Sequence, residues 1–92
     1  MTVYRLRSTG LQWREIAGET VVLDVPSSLY LSANASGSIL WAELERWVTA
    51  DSLAARLVAA FGIEPQRAAE DAEAFLATLD AHGLLEEEEA AA

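Results

Sequence analysis

One histidine, no cysteine and a few clustered carboxylates are all that this sequence offers for covalent, acid–base or metal chemistry. Catalysis needs a nucleophile, an acid–base pair or a metal cluster held in a pocket. His82 stands at the end of a helical pattern, where an imidazolium simply complements the helix dipole. Glu70, Asp71 and Glu73 are close in sequence, but near-consecutive carboxylates on a helix mostly form a solvated face. Without further histidine or cysteine, no transition-metal site is expected there. Asn34-Ala35-Ser36 fits a glycosylation sequon, but with no secretion signal expected a helix cap explains Asn34 better. Ser27 and Ser28, after Pro26, lack the G-x-S-x-G setting of a nucleophile elbow. The expectation is a non-enzyme with no cofactor and no metal.

Charge narrows the partners. The net charge is -9. Arg5, Arg7 and Arg14 balance Glu15, Glu19 and Asp24, whereas from Glu43 onward twelve acids face only Arg46, Arg56 and Arg67. Such a half-molecule repels nucleic-acid phosphates and attracts cations; acidic helices that merely keep a small protein soluble account for the same pattern. Winged helix-turn-helix DNA binders need a basic recognition helix, so nucleic-acid binding is not expected. Residues 1–10 have no continuous apolar segment of the signal-peptide kind, and apolar runs elsewhere fall short of the roughly 20 residues that span a bilayer. A cytoplasmic protein with no membrane contact is expected, and the lack of cysteine suits a reducing compartment.

The elements that must position any site follow from periodicity. Residues 11–16 alternate imperfectly, as in a half-exposed strand. Ala17-Gly18 is a turn, and the β-branched residues 19–25 are the strongest strand signal and the expected central strand. Pro26 to Ser28 turn the chain, and residues 29–32 form a third strand with Leu29 and Leu31 on one face and Tyr30 on the other. Residues 3–6 are at most a short extended lead-in.

At Asn34 the period becomes helical. Leu40, Leu44, Trp47 and Val48 predict a helix over 35–46. Thr49 caps a second helix that carries Leu53, Leu57, Ala60 and Phe61 and stops at Gly62. Pro65 opens a third, with Ala68, Ala72, Phe75, Leu76 and Leu79 on a stripe and Gly83 as its stop. The predicted fold is α+β: a three-stranded antiparallel meander followed by three helices in one winged-helix-like domain over residues 1–85. Residues 86–92 are expected to be a disordered acidic tail.

With catalysis and DNA binding set aside, peptide or protein binding remains. A short third strand with Leu29, Tyr30 and Leu31 and few charges is a poorly defended edge. From the residues alone it is equally an edge covered by a helix or by residues 3–6. Pairing of that edge with itself, as in a dimerising structural or regulatory domain, is the other alternative.

Val22-Leu23-Asp24, Tyr30, Asn34-Ala35-Ser36-Gly37, Ile39-Leu40-Trp41, Asp71, Phe75, Leu76, Leu79 and Gly83-Leu84-Leu85 together resemble the PqqD family. These are recognition elements for ribosomally made, post-translationally modified peptides. The resemblance spans about residues 11–85 and is nearest to the stand-alone B1 subclass of lasso peptide pathways. It departs from the family pattern at Ser28, Leu31 and Ala33.

The resemblance implies that a leader peptide adds as an antiparallel strand to the third strand, in a cleft closed by the third helix. Leu29, Tyr30, Leu31 and Ser32 would form one wall and Ala68, Asp71, Ala72, Phe75 and Leu76 the other. The leader would carry a tyrosine and a proline a few residues apart, together with cationic residues. The partners implied are a cysteine-type leader peptidase and, indirectly, an ATP-dependent cyclase.

Overall fold

Residues 1–90 are described by the computed structural model. In chain order its elements are β1 (Thr2–Leu6), β2 (Leu11–Ile16), β3 (Glu19–Asp24), β4 (Leu29–Ala33), α1 (Ala35–Glu43), α2 (Ala50–Phe61), α3 (Pro65–Ala81) and β5 (Leu85–Glu89). Strands β2, β3 and β4 form the expected antiparallel meander, with β3 in the middle. Its register places Trp13 opposite Val22 and Val22 opposite Leu31. Because side chains alternate across a strand, these three share the face that meets the helices, while Gln12, Leu23 and Tyr30 share the other. The Ala17-Gly18 turn has positive φ at both residues, 52° and 80°, as a two-residue hairpin matched to strand twist requires.

Helix ends follow local chemistry. Asn34 caps α1 by accepting from the Gly37 N–H at 3.0 Å, and Thr49 caps α2 by accepting from the Ser52 N–H at 3.1 Å. Pro65 opens α3. At its other end the Leu84 N–H reaches the Leu79 carbonyl at 3.0 Å and the Gly83 N–H reaches Asp80 at 2.9 Å, with Gly83 at φ 71°. These are the paired bonds of a Schellman stop, and Leu84 is fully buried behind it.

Two boundaries differ from expectation. Helix α1 ends at Glu43 rather than near residue 46. Beyond it the chain runs alongside β1: the Leu6 N–H donates to Leu44 O, and Tyr4 and Val48 exchange two backbone bonds of 2.7 and 2.9 Å. Trp47 and Val48 therefore leave the helical stripe.

The acidic run is the second difference. Residues 85–89 form β5, antiparallel to β1 with Leu6 opposite Leu85 and Thr2 opposite Glu89. The expected disordered tail is corrected to this extent, and residues 91 and 92 lie outside the described residues. Pairing partners explain the strand: the Glu86 side chain accepts from Arg5 Nη2 at 2.6 Å and from the Ser8 N–H at 3.1 Å, while Glu87 and Glu88 stay exposed.

A single apolar cluster joins these parts. It includes Leu6, Val22, Leu40, Trp41, Leu44, Leu53, Leu57, Leu76, Leu79 and Leu84. Arg7 ties its rim together by donating to Asp24 Oδ1 at 2.5 Å and to the Gly83 carbonyl at 3.1 Å. Asp24 also accepts from the Ser27 hydroxyl at 2.8 Å, and these hydrogen bonds, Arg7 first, hold its carboxyl below the usual value. Among the described residues no helix is long and apolar enough to cross a membrane.

Candidate functional site

Strand β4 is the last strand of its sheet, and among the described residues no backbone hydrogen bond links it to a strand other than β3. Its outward N–H and C=O groups thus form an open edge. Beside that edge lies a cavity of about 450 Å³. Leu31, Ser32 and Ala33 of β4 form one side; Asp71, Phe75, Thr78 and Leu79 of α3 form the other. Val22, Gly37, Leu40, Trp41 and Leu57 line the floor.

Local sequence builds each wall. In β4 the period of two turns Leu31 toward the cavity and leaves Tyr30 on the opposite sheet face, 69% exposed. In α3 two parallel stripes divide the labour. Ala68, Ala72, Leu76 and Leu79 form the core stripe, whereas Asp71, Phe75 and Thr78, each one position earlier, form the adjacent stripe that faces the cavity.

The floor is set by α1. Its first turn is drawn onto the sheet by the Thr20 hydroxyl, which donates to Ser38 Oγ at 2.8 Å. Gly37 then lies so close to β4 and α3 that a Cβ there would stand 2.9 Å from Ala33 Cβ and 3.3 Å from Phe75 Cε1. Trp41 is 2% exposed and makes an edge-on contact with Trp13, ring centroids 5.5 Å apart at 74°.

The groove is apolar within and carboxylate at its rim. Glu19 and Asp71 are the acids in its lining. Asp71 is held by Arg67 one turn earlier, whose Nε donates to both carboxylate oxygens at 3.2 and 3.3 Å. Such an exposed pair is worth little and yields readily to another cation. Among the described residues no group of three histidine, cysteine, aspartate or glutamate side chains is placed to hold a metal. His82 caps the end of α3 and does not line the cavity.

Of the site residues expected from sequence, Leu31, Ser32, Asp71 and Phe75 come together here. Leu29 is half-buried on the core-facing side of β4 but outside the cavity lining, and Tyr30 faces away. Ala68, Ala72 and Leu76 are corrected: they are at most 4% exposed and belong to the core. Packing of α3 on α2 uses up these residues, which the resemblance had placed in the second wall. Thr78, Gly37 and Trp41 are lining residues not anticipated. The signal for Thr78 was its i+3 spacing from Phe75.

Known proteins match this arrangement. A model of the family described as coenzyme PQQ synthesis protein D (PqqD) matches residues 19–85. The solved structure of TbiB1 in complex with the TbiA(beta) leader peptide is similar at TM-score 0.80 and 23% identity, over 89% of this chain and 94% of that one. A lasso peptide synthetase B1 complexed with the leader peptide is similar at TM-score 0.78 and 22% identity, over 90% of this chain and 96% of that one. At these identities the likeness is one of fold. No curated protein matches the sequence.

Proposed function

This chain belongs to the PqqD family, and from that premise we propose that it binds, without catalysis, the leader peptide of a ribosomally synthesised precursor of the lasso type. The leader adds antiparallel to β4 and lies in the groove closed by α3. The observation that carries this is the conjunction of an unpaired strand edge with an apolar cavity of about 450 Å³ directly beside it. Two proteins of the same fold are described in complex with leader peptides, which supports the choice of ligand.

Energetics assign different roles to edge and groove. The five-residue β4 offers an added strand about four backbone bonds. At roughly 0.5–1.5 kcal/mol net each, these hardly offset an association cost of about 4–15 kcal/mol. Burial of two or three apolar side chains at about 1.5–3 kcal/mol each supplies the difference. Affinity and specificity therefore reside in what enters between Leu31 and Phe75, and the tyrosine and proline of lasso-type leaders suit that space. Asp71 and Glu19 at the rim steer a cationic leader and affect chiefly on-rate and salt dependence.

The bound precursor is presented to a cysteine-type leader peptidase, and an ATP-dependent cyclase acts on the released core. The chain works in the cytoplasm, as one domain over residues 1–85 with β5 as its extension.

The test is fluorescence anisotropy with a labelled lasso-type leader peptide that carries a tyrosine and a proline a few residues apart. Saturable binding is expected. A folded Leu31→Asp variant that bound unchanged would exclude the β4 site. Light scattering separates the competing possibility of self-pairing through β4, which requires a dimer without peptide.

A further inference from the structure

The sheet face turned away from the helices is largely apolar. Because Trp13, Val22 and Leu31 point toward the helices, Gln12, Arg14, Ile16, Val21, Leu23 and Tyr30 point outward, and these six line a hollow of about 350 Å³. Tyr30 is 69% and Ile16 54% exposed, and Val21 and Leu23 are half-buried between them. Strand β3 is thus apolar on both sides, the pattern of a strand that is covered on both. Single exposed apolar residues need no explanation, whereas four on one sheet face make a patch of the kind that marks an interaction surface.

We propose that this face is the contact surface of a homodimer, covered by the same face of a second copy of the chain. The face matches itself. Across the sheet it is ordered as a polar and cationic strand (Gln12 and Arg14 of β2), an apolar strand (Val21 and Leu23 of β3) and an aromatic strand (Tyr30 of β4). A two-fold axis parallel to the strands and passing over β3 sets β3 on β3 and lays β2 of each copy over β4 of the other. Val21 and Leu23 then close on their equivalents, and Arg14 of each copy meets the exposed Tyr30 ring of the other as a cation–π pair, made twice. Stacked sheets lie about 10 Å apart, a gap that an arginine from one side and a tyrosine from the other fill.

Charge agrees with this pairing. Arg5, Arg7, Arg46, Arg56 and Arg67 each have a carboxylate partner, and among the described residues Arg14 is the one arginine without one. The acids behind the net charge of -9 lie chiefly from Glu43 onward, and the helices that carry many of them pack on the opposite side of the sheet, so stacking through the bare faces keeps those carboxylates apart. A face three strands wide buries roughly 1,000 Å² in all, the lower limit of specific interfaces, and the dimer is expected to form in the micromolar range. Both β4 edges and their grooves stay open in it, so it is compatible with strand addition and does not depend on it.

The test is sedimentation velocity on the whole chain from about 1 to about 200 μM, run with and without the labelled lasso-type leader peptide. A reversible dimer is expected, and excess leader should leave it intact. Tyr30→Asp and Arg14→Glu, both at exposed positions, are expected to raise its dissociation constant at least about tenfold, with the circular dichroism spectrum and leader binding retained. Two variants at separate strands keep the test decisive if one of them fails to fold. A chain that stays monomeric at about 200 μM would overturn the dimer and leave strand addition standing, with the face open to a different protein. A dimer indifferent to both variants would also overturn it, and if excess leader dissolved that dimer the contact would lie at the β4 edges instead.

Discussion

Phe75 of α3 rests against the bare α-carbon of Gly37 in α1, where a β-carbon would stand 3.3 Å from Phe75 Cε1 and 2.9 Å from Ala33 Cβ. One absent methyl lets α1, α3 and β4 converge on the floor of the groove. Gly37→Ala sets two effects against each other. Alanine favours the helix by about 1 kcal/mol, and overpacking costs about 1–3 kcal/mol. The second should win, because Ala33 Cβ is fixed by the strand backbone and cannot swing aside. Urea denaturation is expected to show a net loss of about 1 kcal/mol, and anisotropy a weaker complex. A variant as stable and as tight as the unaltered chain would mean that the close approach is dispensable.

Leu31 and Tyr30 are neighbours in sequence on opposite faces of the sheet. Leu31→Asp puts an unpaired charge into an apolar groove and is expected to abolish peptide binding with the circular dichroism spectrum retained. Tyr30→Asp alters a residue that is 69% exposed on the far face and should change affinity by no more than about twofold. Equal losses from both would place the peptide elsewhere.

Stability should fall in acid for a specific reason. Asp24 is held below its ordinary value of 3.8 by hydrogen bonds from Arg7 and Ser27, and Glu86 below 4.5 by Arg5 and the Ser8 N–H. Carboxyls that titrate lower folded than unfolded add stability that is whole above those ordinary values and lost as pH falls through the folded ones. Thermal melts are expected to change little from pH 7 down to about 5 and then to drop. Asp24→Asn should lower the melting temperature at pH 7 and flatten the drop below pH 4. A variant with the same acid slope would show that Asp24 has no part in it.

Strand β5 should be structural. Truncation after Leu85 removes the pairing from Glu86 to Glu89 with β1 and the Arg5 ion pair. At roughly 0.5–1.5 kcal/mol per backbone bond, a loss of about 2–4 kcal/mol is expected. Amides of β1 should then exchange freely in hydrogen-exchange measurements. Unchanged protection there would mean that β1 is held by the segment at residues 44–48 alone.

How much of this was legible in the sequence depends on how local each signal is. The meander, the caps Asn34 and Thr49, Pro65 at the start of α3 and the stops at Gly62 and Gly83 were all readable, since each is decided by φ preference or by hydrogen bonds spanning a few residues. Leu31 and Phe75 as facing walls followed from the family resemblance, and strand and helix periodicity agree with it. Missed were β5, the early end of α1 and the true inner stripe of α3. The partners that decide these lie far off in sequence: Arg5 is opposite Glu86, and Tyr4 is bonded to Val48.

The sequence by itself thus determined the three-stranded meander, the three helices and their order, because side-chain period and capping are properties of short segments. Tertiary structure alone decided which of two adjacent stripes on α3 faces the groove. The stripes lie one position apart on the same helix with Phe75 and Leu76 adjacent, and only the packing of Ala68, Ala72 and Leu76 into the core leaves Asp71, Phe75 and Thr78 beside the open edge of β4.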